Sequence, residues 1–180
     1  MKLKSHPTSP RFHLGSQAAR GALLCAALLL GALAPGARTR ADVSAPEPLS
    51  AFPQSLLAIR TASGKVVNFK IWTADRPSRQ EQGLMFVRDI DDHAGMLFLF
   101  EPVRQISMWM KNTYLPLDLL FIDTAGRIDY IAARATPLST AIISDPRPVA
   151  AVLELKGGIA ENFGIKVGDT VLHESFRKPH

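Results

Sequence analysis

Five consecutive apolar residues, Met96-Leu97-Phe98-Leu99-Phe100, lie between Gly95 and Pro102. The run is too short for a confident helix and reads as a strand covered on both faces. Such a strand is central, so the chain has to place an apolar layer on each side of it. The rest of the sequence offers β-rich runs for the purpose. Residues 56–59 and 66–72 flank Ala62-Ser63-Gly64-Lys65, the composition of a hairpin turn, and residues 117–123 and 128–133 flank Thr124-Ala125-Gly126-Arg127, a second one. From Ile106 to Lys111 the pattern alternates, with Ile106, Met108 and Met110 on one face and Ser107, Trp109 and Lys111 on the other. Residues 149–155 make another strand, 171–173 close the fold, and 135–148, with three prolines, reads as loop; six or seven strands result. Two short helices are expected. One is framed by Asp75, Pro77 and Gly83, and the other runs from Gly157-Gly158 to Phe163 with Gly164 as its stop. Because many strands separate the helices, βαβ alternation is not expected. The predicted class is α+β: a small β-rich barrel or curled, mostly antiparallel sheet of six to seven strands with two short helices.

Residues 1–41 read as a signal peptide. A basic stretch precedes a 14-residue apolar run, Gly21–Ala34, and small residues close the segment near Ala41. A spanning helix needs about 20 apolar residues, so a membrane anchor through an uncleaved leader is the poorer reading. Cys25, the only cysteine, lies in that run and is expected to be lost on processing. The mature chain, periplasmic or secreted, then has no thiol chemistry and no disulfide. Residues 42–54, with Pro46, Pro48 and Pro53, read as a linker, and 55–177 as a single domain. Residues 1–40 carry six bases and no acid, so from Asp42 onward 15 bases face 16 acids. That balance removes the clustered basic face that nucleic-acid binding requires.

The chain holds no Gly-x-Ser-x-Gly elbow, no His-Glu-x-x-His pair, no phosphate loop and no dinucleotide fingerprint. Asp89-x-Asp91-x-His93 begins like a calcium loop, but Ala94 and Phe100 occupy the positions that need glycine and a bidentate acid. It reads as a solvated acidic turn. Met85, Met96, Met108 and Met110 with His93 could offer soft ligands to Cu(I), but methionines in apolar strand patterns are first of all core filler. No metal and no cofactor are expected. The strongest polar constellation is Trp109, Lys111, Asn112 and Thr113 with Asp118: a flat apolar surface, a positive charge, an amide and a hydroxyl beside a carboxylate. On a loop edge stiffened by Pro116, such a set suits a small polar or anionic ligand, or a partner. Non-catalytic binding through this Trp109–Asp118 edge is the expected function. A metal-independent hydrolase or lyase using Lys111, Asp118 or His93 is the alternative, and a structural or interaction module without a small-molecule site is the third. Oligomeric state is not legible from these residues.

Several motifs, taken in order, carry a resemblance. Gln82-Gly83-Leu84-Met85, Gly95-Met96-Leu97-Phe98, Met108-Trp109-Met110-Lys111-Asn112-Thr113, Leu115-Pro116-Leu117-Asp118, Phe121-Ile122-Asp123 and Gly164-Ile165-Lys166-Val167-Gly168-Asp169 together resemble the DUF192 family over about residues 55–173. The resemblance implies a small, often exported single domain with a mixed, β-rich fold. It implies no activity.

Overall fold

The computed structural model describes residues 45–176. The expected leader, Cys25 and the C-terminal His180 lie outside the described residues. The described residues lie within one compact unit.

Strands β1 (Gln54–Arg60) and β2 (Val66–Ala74) form the first expected hairpin, in register from Gln54 opposite Trp72 to Arg60 opposite Val66. From β2 the chain passes through α1 (Pro77–Gln82) into β3 (Ala94–Arg104), which pairs with β2 in parallel. Parallel neighbours need a crossover, so β2-α1-β3 is one βαβ unit. A single unit in an otherwise antiparallel sheet is not βαβ alternation, and the mostly antiparallel class holds. The helix α1 has six residues, none of them buried, and so shows no apolar stripe that would announce a crossover. The remaining strands are antiparallel to their neighbours: β5 (Leu117–Ile122) and β6 (Ile128–Ala135) make the second hairpin, and β8 (Val149–Lys156) lies between β5 and β3. With β9 (Thr170–Leu172) beside β1, the sheet has seven strands in the order β6-β5-β8-β3-β2-β1-β9. It is curled into a half-barrel, as expected for this class. Its margins meet at one end, where Arg127 bridges Thr170 and the Ile128 and Val171 N–H groups donate to the Asp169 and Gly126 carbonyls. Strands β4 (Ser107–Met108) and β7 (Ile143–Ser144) make a separate small sheet, and α2 (Ile159–Phe163) starts after Gly158 and stops at Gly164, both in the left-handed region.

The central run is covered on both faces. Met96, Phe98 and Phe100 pack into one cluster with Leu84, Ile106 and Val152 among others, while Leu97 points into a second cluster with Phe69, Ile71, Leu120 and Leu153. Alternation along β3 thus feeds two apolar layers at once. Truncating Phe98, which is 1% exposed, to Ala is expected to cost about 3–5 kcal/mol in chemical denaturation. A loss under about 1 kcal/mol would contradict its burial.

The Pro-rich segment before β1 packs on the domain. Glu47 accepts from Arg76 and Arg79, each at 2.7 Å, and Phe52 is buried with the Arg79 guanidinium 5.1 Å above its ring.

Candidate functional site

Beyond β4 the expected strand over 106–111 does not continue, because the chain turns at Lys111 and Asn112, with Asn112 at φ 56°. The burial pattern nonetheless alternates as its residues suggest: Ile106 and Met110 are buried, and Ser107, Trp109 and Lys111 are exposed. Trp109 and Lys111 stand side by side, the ammonium 5.1 Å from the centre of the indole. Thr113 is buried, and its hydroxyl donates to the Lys111 carbonyl. The Asn112 amide reaches toward the Met85 sulfur at 3.9 Å. Around this loop the backbone is strained. Phe86 (φ 66°) donates its N–H to the carbonyl of Asn112, and Leu138 (φ 61°) donates to that of Thr113. Left-handed φ at a phenylalanine or leucine costs on the order of 1–3 kcal/mol and persists only where surrounding contacts hold it.

Asp118 does not join this group. It lies on β5, pointing away from Leu117 and Leu119, and is completely buried. One carboxylate oxygen accepts from the N–H of Arg134, and the other from the N–H groups of Gly158 and Ala160 at the start of α2. Three backbone donors occupy the carboxylate that the sequence suggested for a ligand. Lys111 is accordingly free of any buried partner, and Lys111→Ala is expected to change stability by no more than about 0.5 kcal/mol. Equilibrium unfolding of the variant checks this.

His93 is also elsewhere. Its ring packs on Phe69 and Phe163, its Nδ1 lies 2.9 Å from the Asn68 carbonyl, and it lines a shallow groove with Leu56 and Lys70. The acidic turn before it is a structural device. Asp89 and Asp92 pair with Lys156, and the Asp91 side chain accepts the His93 N–H. Met96 and Met110 are fully buried in the apolar cluster, and no cluster of three or more His, Cys, Asp or Glu suited to a metal occurs among the described residues.

Trp109 and Thr113 instead line a cleft of about 480 Å³ whose walls come from α1 and the turn after it, from Phe98 and Phe100 of β3, and from residues 104–108. Glu154 of β8 also lines it. This residue belongs to no motif singled out in the sequence, yet it is the most perturbed acid among the described groups. Met96 of β3 and Leu119 of β5 flank it in register. It is 5% exposed, and its Oε2 atom is buried without a hydrogen-bond partner. Burial pushes the carboxyl up to about 8, against a smaller opposing effect of a hydrogen bond from the backbone of Leu84. Gly83 adjoins the acid: a Cβ there would sit 2.9 Å from the Phe98 ring and 3.7 Å from Oε2, and the residue has φ 50°. Glycine therefore lets α1 end against Phe98 while leaving Oε2 uncovered by a side chain at that point. A pocket with aromatic walls and one buried titratable group of displaced pKa has the composition of a binding or catalytic site.

The family model for DUF192, described as an uncharacterized ACR, matches residues 58–173. Two solved structures are similar. One is a candidate transcription regulator from Sinorhizobium meliloti 1021, 43% identical, with a TM-score of 0.68, covering 69% of this chain and 96% of that one. The other is a protein of unknown function from Novosphingobium aromaticivorans DSM 12444, 36% identical, with a TM-score of 0.67, covering 77% of this chain and 99% of that one. No curated protein matches.

Proposed function

Since the chain belongs to the DUF192 family, whose description specifies no reaction, we propose from its own site that it is an exported, non-catalytic domain binding a small polar ligand in the cleft beside Trp109. The observation that carries this reading is the buried Glu154 Oε2, a polar atom without a partner on the wall of a cleft lined by polar and apolar side chains in about equal measure. A buried polar group left unpaired costs roughly 1–3 kcal/mol, which a ligand with a complementary atom recovers on binding. Trp109 supplies a flat wall, and Lys111 stacks against it. Of the residues first suggested by sequence, Trp109 and Thr113 line the cleft, Lys111 and Asn112 support its edge, and Asp118 holds the scaffold.

A thermal-shift screen of the purified protein tests the reading, because a ligand that binds only the folded state raises its melting temperature. At least one small polar compound is expected to do so, with the shift lost in Trp109→Ala. A shift that survives Trp109→Ala would move the site elsewhere. Export rests on the basic flank and short apolar run before Asp42. The intact mass of protein recovered outside the cytoplasm is expected to lack residues 1–41, and a mass retaining 21–34 would make the leader an anchor.

A catalytic reading finds its support in Glu154 and not in the residues first suggested for it. Lys111 is on the surface, Asp118 is committed to three N–H groups and His93 lines a different groove. A carboxyl that titrates near neutrality could serve as a general acid or base. The regulator description of the Sinorhizobium relative does not transfer to nucleic-acid binding here, because 15 bases and 16 acids after residue 40 leave no net positive charge.

A further inference from the structure

We infer that Glu154 meets its ligand as a hydrogen-bond donor, so that the cleft takes a compact molecule presenting an accepting oxygen, such as an amide carbonyl, and no positive charge. The inference rests on the cleft being a binding site and adds the chemical class of what it takes.

Glu154 Oε2 is buried with no hydrogen-bond partner among the described residues, so a proton carried there has no acceptor among them. A buried O–H without an acceptor selects for an oxygen on the ligand. Burial keeps the carboxyl in this form, with no charge close enough to shift it. Glu81 from α1 and Arg104 from β3 are the charged residues that line the cleft along with Glu154. The Arg104 guanidinium lies 5.3 Å over the Phe100 ring and donates to the Pro102 carbonyl. Arg79 of α1 is held by Glu47 and Asp75, and Lys156, two residues along β8, by Asp89 and Asp92. The neighbouring positions on β3 and β5 are Met96 and Leu119. No cation is paired with Glu154, and burial keeps it protonated up to about pH 8.

The same surroundings disfavour an ammonium ligand. Arg104 is on the wall, and Lys111 already covers a face of Trp109, so a cationic guest would meet two positive charges against the single exposed acid Glu81. The apolar walls, Leu84, Phe98, Phe100, Ile106 and Trp109, favour a flat or compact body behind the accepting atom.

The two ligand classes give opposite pH dependences. A molecule bound by the O–H loses affinity as Glu154 ionises, about tenfold per unit well above its pKa, whereas a cation gains affinity as the carboxylate forms. Benzamide and benzylamine, of similar size and shape, serve as probes on the full mature protein carrying 13C-methyl methionine, because Met85 and Met108 line the cleft while Met96 and Met110 are buried in the core. Benzamide is expected to shift the Met85 and Met108 methyl signals, with constant affinity from pH 6 to 7.5 and at least a fivefold loss by pH 9. Glu154→Gln keeps a donor but cannot titrate, so it is expected to bind benzamide with no such loss. Binding of benzylamine that strengthens with pH, without benzamide binding, would overturn the ligand class and leave the cleft as a binding site. The same holds if Glu154→Gln keeps the wild-type pH dependence. If neither probe moves the Met85 or Met108 signals at saturating concentration, the binding cleft itself fails and the inference with it.

Discussion

Glu154→Gln is expected to stabilise the protein, and by an amount that grows with pH. Glu154 has its carboxyl raised from 4.5 in the unfolded chain to about 8 in the folded one. Between those values the folded state keeps a proton that the unfolded state has released. The linkage slope is therefore negative: stability falls by up to about 1.4 kcal/mol per unit as pH rises from 4.5 to 8, and levels off above. Glutamine has the same shape and no proton to lose, so the variant should gain roughly 3 kcal/mol at pH 7 and roughly 4–5 kcal/mol at pH 9, and almost nothing at pH 4. Urea unfolding of both proteins across this range measures the difference. Parallel profiles would mean that Glu154 ionises in the folded protein as it does in water.

Asp118→Ala should have the opposite sign and little dependence on pH near neutrality. The substitution leaves the N–H groups of Arg134, Gly158 and Ala160 facing a small void. At roughly 1–3 kcal/mol for each buried donor left without an acceptor, the expected loss is about 3–5 kcal/mol. Detachment of α2 from the end of β5 should accompany it, seen as faster amide exchange at Gly158 and Ala160. A loss under about 1 kcal/mol would show that water replaces the carboxylate without penalty.

These two acids also show how far the sequence can be read. Each is a lone carboxylate in an apolar strand, Asp118 in Leu117–Ile122 and Glu154 in Val149–Lys156. The strands themselves follow from their apolar runs and the turns that bound them. What the side chains meet does not. Asp118 receives its donors from residue 134 and from residues 158 and 160, brought to it by β6 and the start of α2. Glu154 points to the other face, where only Leu84 reaches it. The acid in an apolar run is the signal that could have singled out Glu154, but partner supply depends on non-local pairing. For the same reason the pairing of Trp109 with Lys111 was legible, since strand-like alternation sets it locally, and the placement of Asp118 was not. The crossover through α1 was hidden because a helix with no buried residue leaves no periodic trace.

The meeting of the sheet margins at Arg127 and Thr170 bears on how the protein behaves in a crowded compartment. Marginal strands with open N–H and C=O groups are templates on which other chains add, and proteins suppress them by covering or joining them. Here one short segment, Thr170–Leu172, serves both margins: it pairs with β1 from Ala58 to Arg60 and meets the β6 side at Arg127. Its three residues carry a disproportionate share of the protection against self-association. A chain clipped before Thr170 would uncover both margins together, and its failure would take the form of ribbons growing strand on strand more than of a melted core.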